Sequence, residues 1–254
     1  MRLKLKFEHL GKSFITLPCH YNGIIQGFIY HHLDSWLSSK IHEEGFIEPG
    51  TKRKLKFFTF SRLIPEGKAY IKDGQIYLHG AINLIVSSPL QGFIQSFAMN
   101  LMKSGTLKFD KENLLLSSVE VEGLPEYQER IFVRTLSPVT IYSTLIKRDG
   151  KKKTYYYSPF EKEFEDLLIK NLSRKFKTWA GSTVLSGSIK PYKVNSRDQR
   201  IVIYKGTVIK GWDGVFELNL PQELFNMAFE TGLGAKNSLG FGCIEVWKSE
   251  RDKK

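Results

Sequence analysis

All six histidines of this 254-residue chain fall within its first 79 residues: His9, His20, His31, His32, His42 and His79. Imidazole either ligates metals or moves protons near neutral pH. Ligation calls for spacings that bring two rings to one face, and neither His-x-x-x-His nor His-Glu-x-x-His occurs. His31 and His32 are adjacent, so on a helix their side chains point about 100° apart. Cys19 and Cys243, the only cysteines, have no zinc-type ligands spaced around them and do not make a disulfide framework. The expectation is proton transfer with no metal and no other cofactor. His42, followed by Glu43 and Glu44, is a candidate for it, the alternative being an ordinary surface histidine. His31, off the apolar stripe of its segment, is held in reserve.

The segment from Gly232 to Gly242 reads Gly-Leu-Gly-Ala-Lys-Asn-Ser-Leu-Gly-Phe-Gly. It follows a helical pattern and precedes a strand, the reverse of the dinucleotide-binding order, and lacks the Gly-Lys-Ser/Thr of a P-loop. A nucleotide cofactor is therefore not expected. Gly232 can cap the preceding helix in the left-handed region. The unhindered amides of Gly232, Gly234, Gly240 and Gly242 can approach phosphate closely, with Lys236, Asn237 and Ser238 supplying further donors. The competing interpretation is a tight connection that requires glycine and touches no ligand.

The formal net charge is +12 and the isoelectric point about 9.5. An excess of that size points to a polyanionic partner, nucleic acid before membrane, against the plainer possibility of a basic soluble protein. It is unevenly spread: residues 1–126 carry 15 basic and 12 acidic side chains, residues 127–254 carry 23 and 14. Lys147-Arg148-Asp149-Gly150-Lys151-Lys152-Lys153 makes a basic hairpin tip followed by Tyr155, Tyr156 and Tyr157. Lys190, Lys193, Arg197 and Arg200 form a second basic group. Both can neutralise phosphate, and both can equally be solvated surface.

The elements must position these groups. A hydrophobic content of 41% excludes wholesale disorder. No apolar run approaches the roughly 18 residues of a membrane span, and the period-two opening Arg2–Glu8 is a strand and not a signal peptide, so a cytoplasmic protein is expected. Ile25, Ile29, Leu33, Trp36 and Leu37 keep helical spacing. Strands follow at Phe57–Leu63 and Gln75–Val86, with turn residues Asp73-Gly74 between them. Pro89 opens a helix with Phe93, Phe97, Leu101 and Met102, and Leu114–Val121 is a strand. The second half repeats the order. Strands at Arg130–Leu136 and Thr140–Ile146 precede a helix from a capping box at Ser158 and Glu161, carrying Phe160, Phe164, Leu167, Leu168 and Leu172. Extended stretches Val184–Tyr192, Ile201–Lys210 and Val215–Leu220 come next, then a short helix from Pro221 and a strand Cys243–Trp247. The fold class predicted is α+β, two tandem ferredoxin-like βαββαβ domains side by side, residues 1–124 and 125–254.

Two such units ending in this glycine-rich motif resemble the CRISPR-associated repeat-RNA-processing endoribonucleases of the RAMP superfamily. The resemblance covers essentially the whole chain. It rests on Ile25-Gln26-Gly27-Phe28-Ile29-Tyr30, His42-Glu43, Lys56-Phe57-Phe58-Thr59-Phe60-Ser61, Thr135-Leu136-Ser137-Pro138 and the glycine motif, all in order. It implies metal-independent cleavage of CRISPR repeat transcripts, in which a 2′-hydroxyl attacks the adjacent phosphate to leave 2′,3′-cyclic phosphate and 5′-hydroxyl ends. It also implies other effector subunits as partners, a monomer or homodimer, and no membrane association.

That chemistry requires a base, an acid and a cation for the charged transition state. The resemblance places Tyr30, His42 and Lys56 in these roles, with Lys52, Arg53 and Lys54 close enough to stand in for the lysine. On one straight helix Tyr30 and His42 would sit about 18 Å apart, so two short helices are predicted, with a turn near Ser38-Ser39. RNA contacts are expected from the glycine motif with its Lys236, and from Lys190 and Lys193 of the second basic group. The main rival function is a non-catalytic guide-RNA-binding subunit of an effector complex. A general single-stranded RNA binder ranks third, because it would need exposed aromatics on a free sheet face.

Overall fold

The computed structural model describes residues 1–146, 150–184 and 186–248, so Lys147, Arg148 and Asp149 of the basic hairpin lie outside the described residues. The opening strand, Arg2–His9, buries Leu3, Leu5 and Phe7 on one side, as its period requires. It runs antiparallel between Glu112–Glu122 and Ile82–Ser87. Thr59–Phe60 and Ile64–Pro65 pair with the far edge of Ile82–Ser87. Three helices follow one another in this half: α1 (Asn22–His31), α2 (Ser35–Ser39) and α3 (Gln91–Lys103). Ile25, Phe28 and Ile29 of α1 and Phe93, Phe97 and Leu101 of α3 close one core against Leu3, Leu5 and Phe7.

The second half builds its own antiparallel sheet from Arg130–Thr135, Ser188–Lys193, Val215–Asn219 and Ile244–Val246. It has its own core with α4 (Lys162–Ala180) and α5 (Gln222–Thr231). Counted along the chain, the four principal strands of each sheet lie in the spatial order fourth, first, third, second. The element order read from the sequence therefore recurs in both halves.

Several details differ from expectation. The stretch 75–86 is two strands, broken at Gly80 (φ +77°), and Gln75–His79 joins Phe14–Pro18 and Ala69–Lys72 in a separate three-stranded sheet. The stretch 201–210 is a hairpin of Gln199–Tyr204 with Thr207–Trp212, turned at Lys205-Gly206, both with positive φ. Ser158 N–H donates to the Glu161 carboxylate as expected, but Ser158 Oγ accepts from Phe160 N–H at 3.3 Å and not from Glu161 N–H. They form a turn ahead of α4, which starts only at Lys162. Phe160 is consequently exposed and rests on Trp212. Trp36 and Met102 are also exposed, outside the apolar stripes assigned to them.

The halves are joined by polar contacts as well as packing. The buried Arg2 guanidinium donates to the carbonyls of Phe229 (3.2 Å) and Ile244 (2.6 Å) and lies over the Phe229 ring. Ser137 Oγ donates to the Phe60 carbonyl at 3.0 Å, and Asp213 accepts from both Arg62 and Arg200 at 2.7 Å. No helix among the described residues is long and apolar enough to cross a membrane.

Candidate active site

The chain does turn between Tyr30 and His42. The break lies at His32–Asp34, earlier than Ser38-Ser39, because α1 stops at His31 and Asp34 is extended. From α2 the backbone continues into a five-residue π-helical turn, Lys40–Glu44, which ends at Gly45 with φ +62°. A π-turn widens the helix by one residue and shifts the directions of its side chains. The outcome is that the Tyr30 and His42 rings meet, their centroids 4.9 Å apart and their planes at 89°.

Lys56 joins them from the next extended segment. Its Nζ donates to the His42 carbonyl at 3.0 Å and lies 5.4 Å from the Tyr30 ring centroid. Lys54 Nζ donates instead to the Glu43 carbonyl. Both Lys54 and Lys56 line the same cleft, and Lys52 does not. His31 faces elsewhere: it borders a smaller hollow with Thr106, Lys108 and Asp110.

The three environments differ. His42 is exposed, as an imidazole that meets substrate must be. Partial burial lowers the Lys56 ammonium below its ordinary 10.5, and neighbouring Lys54 adds to the effect. Tyr30 packs on Phe58 as well as His42, and its Oη is buried with no hydrogen-bond partner. That burial drives its phenol well above the ordinary tyrosine range, with Tyr204 contributing further, so it holds its proton firmly. A buried hydroxyl without a partner is costly and marks a group with a donor to offer.

Opposite these groups the glycine-rich segment forms the other wall of a cleft of about 870 Å³. Gly234, Lys236, Asn237 and Ser238 line it, whereas Gly232, Gly240 and Gly242 are not among the lining residues. Those three are buried packing positions. A Cβ on Gly240 would stand 2.4 Å from the Phe60 ring, and one on Gly242 1.9 Å from the Leu233 carbonyl oxygen. Gly232 does end α5 with a positive φ, but its ψ of 157° is not that of a left-handed cap. The close approach that glycine permits at Gly240 is to the first half of the chain, and at Gly242 to the segment's own Leu233. Gln26 donates to the Ser238 carbonyl at 2.7 Å and Asn22 to the Leu239 carbonyl at 2.8 Å, which fastens α1 to the segment. Lys236 itself adopts φ +59°, and its Nζ lies 4.9 Å from the Tyr142 ring centroid.

The cleft has a strong positive bias. Arg53, Lys54, Lys56, Arg174, Lys175 and Lys236 line it, with Glu48 the acidic lining residue. Arg174 and Lys175 come from α4 and escaped the sequence reading, because lysine and arginine on an amphipathic helix read as its solvated face. Lys190 and Lys193 are not lining residues. They sit exposed on the edge strand Ser188–Lys193, where Lys193 Nζ is 4.7 Å from the Trp247 ring centroid. Trp247, Phe132 and Tyr192 form an aromatic group there, with centroids 4.5 to 6.1 Å apart.

Residues 121–246 match the family model of the CRISPR-associated protein Cas6, C-terminal domain. A CRISPR-associated endoribonuclease Cas6 of Methanocaldococcus jannaschii is 25% identical over 247 residues, 96% of this chain and 92% of the relative. One of Pyrococcus furiosus is 26% identical over 257 residues, 96% and 88% of the two chains. An endoribonuclease-like protein, Cas6nc, of Pyrococcus horikoshii is 25% identical over 252 residues, 97% and 99%. Among solved structures, a Cas6-related protein of Pyrococcus furiosus superposes with a TM-score of 0.84 at 22% identity, over 98% of this chain and 99% of that one. A RAMP protein that binds different RNA substrates superposes at 0.82 with 23% identity, over 98% and 100%. These two show a shared fold.

Proposed function

The chain belongs to the Cas6 family of CRISPR-associated endoribonucleases, and on that premise we propose that it cuts CRISPR repeat RNA in the cleft between its two halves. The observation that carries the proposal is the meeting of Tyr30 with His42 and Lys56, the last two of which line a basic cleft.

In the reaction proposed, the ribose 2′-oxygen attacks the adjacent phosphorus as its proton leaves, and the bond from phosphorus to the 5′-oxygen breaks. The 5′-oxygen takes up a proton, so the ends are a 2′,3′-cyclic phosphate and a 5′-hydroxyl. One proton is removed and one delivered, and neither water nor metal enters the balance. His42 carries the proton, since imidazole works in both directions near neutral pH. Tyr30, which keeps its proton, braces the His42 ring edge-on, and its buried Oη is a donor without a partner in the RNA-free protein. The Lys56 ammonium offsets the charge that builds on the phosphate.

The remaining assignments follow the same interpretation. The halves act as two ferredoxin-like domains, 1–124 and 125–254, whose sheet orders support that description. Lys236, Asn237, Ser238 and Gly234 face the RNA in the cleft, and Lys190 and Lys193 meet a more distant part of the strand. The alternative, a guide-RNA-binding subunit that does not cut, is favoured by one observation: two Pyrococcus relatives are named endoribonuclease-like.

Incubation in EDTA with a synthetic repeat RNA, and with the same RNA carrying a 2′-deoxy at the cut site, separates the two. Cyclic phosphate from the first substrate alone is the expected result. Tight binding of the first without any cut would establish the binding subunit instead.

A further inference from the structure

Lys175 is a lysine of α4 buried inside the second half, with only 4% of its surface exposed. A buried ammonium loses its hydration and is kept only where it is bonded well. Among the described residues no carboxylate is a hydrogen-bond partner of it, and its two partners are in the glycine-rich segment: the Gly232 carbonyl and Asn237 Oδ1, each at 2.7 Å. Burial lowers its pKa to about 7, and the adjacent Arg174 adds to that. On packing grounds an apolar side chain would serve this position better.

The two partners explain what the lysine does. Gly232 is where the chain leaves α5, and Asn237 is the centre of the segment. Asn237 passes the constraint on, its Nδ2 donating to the carbonyls of Leu233 (3.0 Å) and Phe241 (2.9 Å). One ammonium therefore ties the entrance of the segment to its middle, and the amide of Asn237 ties the middle to both ends. The next residue, Ser238, turns its carbonyl to Gln26 of α1. Lys175 thus braces the segment from the buried base of the cleft that Lys236 and Ser238 also line.

We propose that Lys175 is a positioning residue, which holds the glycine-rich wall at the distance from His42 and Lys56 that the RNA strand requires. The proposal rests on the Cas6 interpretation of the cleft. It separates substrate fit from chemistry, because none of the contacts among Tyr30, His42 and Lys56 passes through Lys175.

The test compares the wild type with Lys175→Met, Asn237→Ala and the double variant. Amide hydrogen exchange in the RNA-free proteins reads the wall directly. In both single variants the amides of Leu233, Gly240 and Gly242 should exchange at least about tenfold faster, while those of the strand Arg130–Thr135 are unchanged. With repeat RNA, KM should rise about tenfold with kcat within about threefold, and the double variant should be no worse than either single one. Unchanged exchange at 232–242 in a folded variant overturns the proposal, as does a fall in kcat at constant KM. If Lys175→Met fails to fold, Asn237→Ala decides alone. If the wild type proves not to cut, the catalytic assignment falls, and exchange together with RNA affinity still judges Lys175.

Discussion

Tyr30 ends one helix and His42 lies in a π-turn two elements later, yet their rings are perpendicular neighbours, 4.9 Å between centroids. The geometry depends on a break at His32–Asp34 and a π-turn at Lys40–Glu44. It sets an exposed imidazole beside a phenol whose burial keeps it protonated.

Substitution at the two rings should therefore separate stability from rate. His42→Ala is expected to slow cleavage by about 10²- to 10⁴-fold with RNA affinity nearly intact. Tyr30→Phe removes a buried hydroxyl that has no partner, so its melting temperature should stay within a few degrees of wild type while the rate falls. A Tyr30→Phe enzyme of full activity would remove that residue from the mechanism.

Lys56 should set the alkaline limb of the pH–rate profile. The cation is lost as pH rises through its lowered pKa, so kcat/KM is expected to fall at a pH below the ordinary 10.5. Lys54→Ala relieves the repulsion between the two ammonium groups, and the limb should then move to higher pH. A limb that ignores Lys54 would point to another group.

The glycines make a graded stability prediction. Gly240→Ala drives a methyl into the Phe60 ring at a φ of +78° and should cost a few kcal/mol or prevent folding. Gly92→Ala, on α3 with open space around it, should stabilise the protein by about 0.5–1 kcal/mol. Chemical denaturation of the two variants measures both.

Lys175 should leave a signature in the pH dependence of folding. Its pKa is about 7 when folded against 10.5 ordinarily. Between those values the unfolded chain binds the proton that the folded chain has released, so this group makes stability rise with pH. Relative to Lys175→Met, the wild type should gain up to about 1.4 kcal/mol per pH unit in that window. A difference between the two that does not vary from pH 7 to 9.5 would contradict the burial of a titrating ammonium.

Lys236→Ala should weaken RNA binding evenly across sequences. It should also make the plot of log affinity against log salt shallower by about 0.7, the value for one phosphate contact on a single strand. No change in slope would mean that the side chain serves only its contact with the Tyr142 ring.

Much of this molecule was legible in residue order. The repeated element pattern and the helix carrying Tyr30 follow from spacing, and the need for a turn before His42 follows from spacing once the resemblance pairs the two residues. The position of that turn does not, because the π-turn at Lys40–Glu44 depends on tertiary packing around the buried Ile41 and Leu37. The glycine motif points to a close approach by its type alone, whereas the neighbours that require glycine at Gly240 and Gly242, Phe60 and Leu233, are brought there only by the folded chain. Lys175 was invisible for the opposite reason. A lysine on a helix of mixed charge reads as solvated, and nothing local indicates that it points inward.

The guanidinium of Arg2 bridges 242 positions to the Ile244 carbonyl. During synthesis the arginine emerges 242 residues before that carbonyl, and at about 5–20 residues per second the wait exceeds ten seconds. Through that interval the first sheet carries a charge made for an interior that does not yet exist. The first half can collapse early, but it cannot reach its finished form on the ribosome ahead of the second. A nascent chain halted before the last strand should accordingly be a better chaperone client than its hydrophobic content alone would suggest.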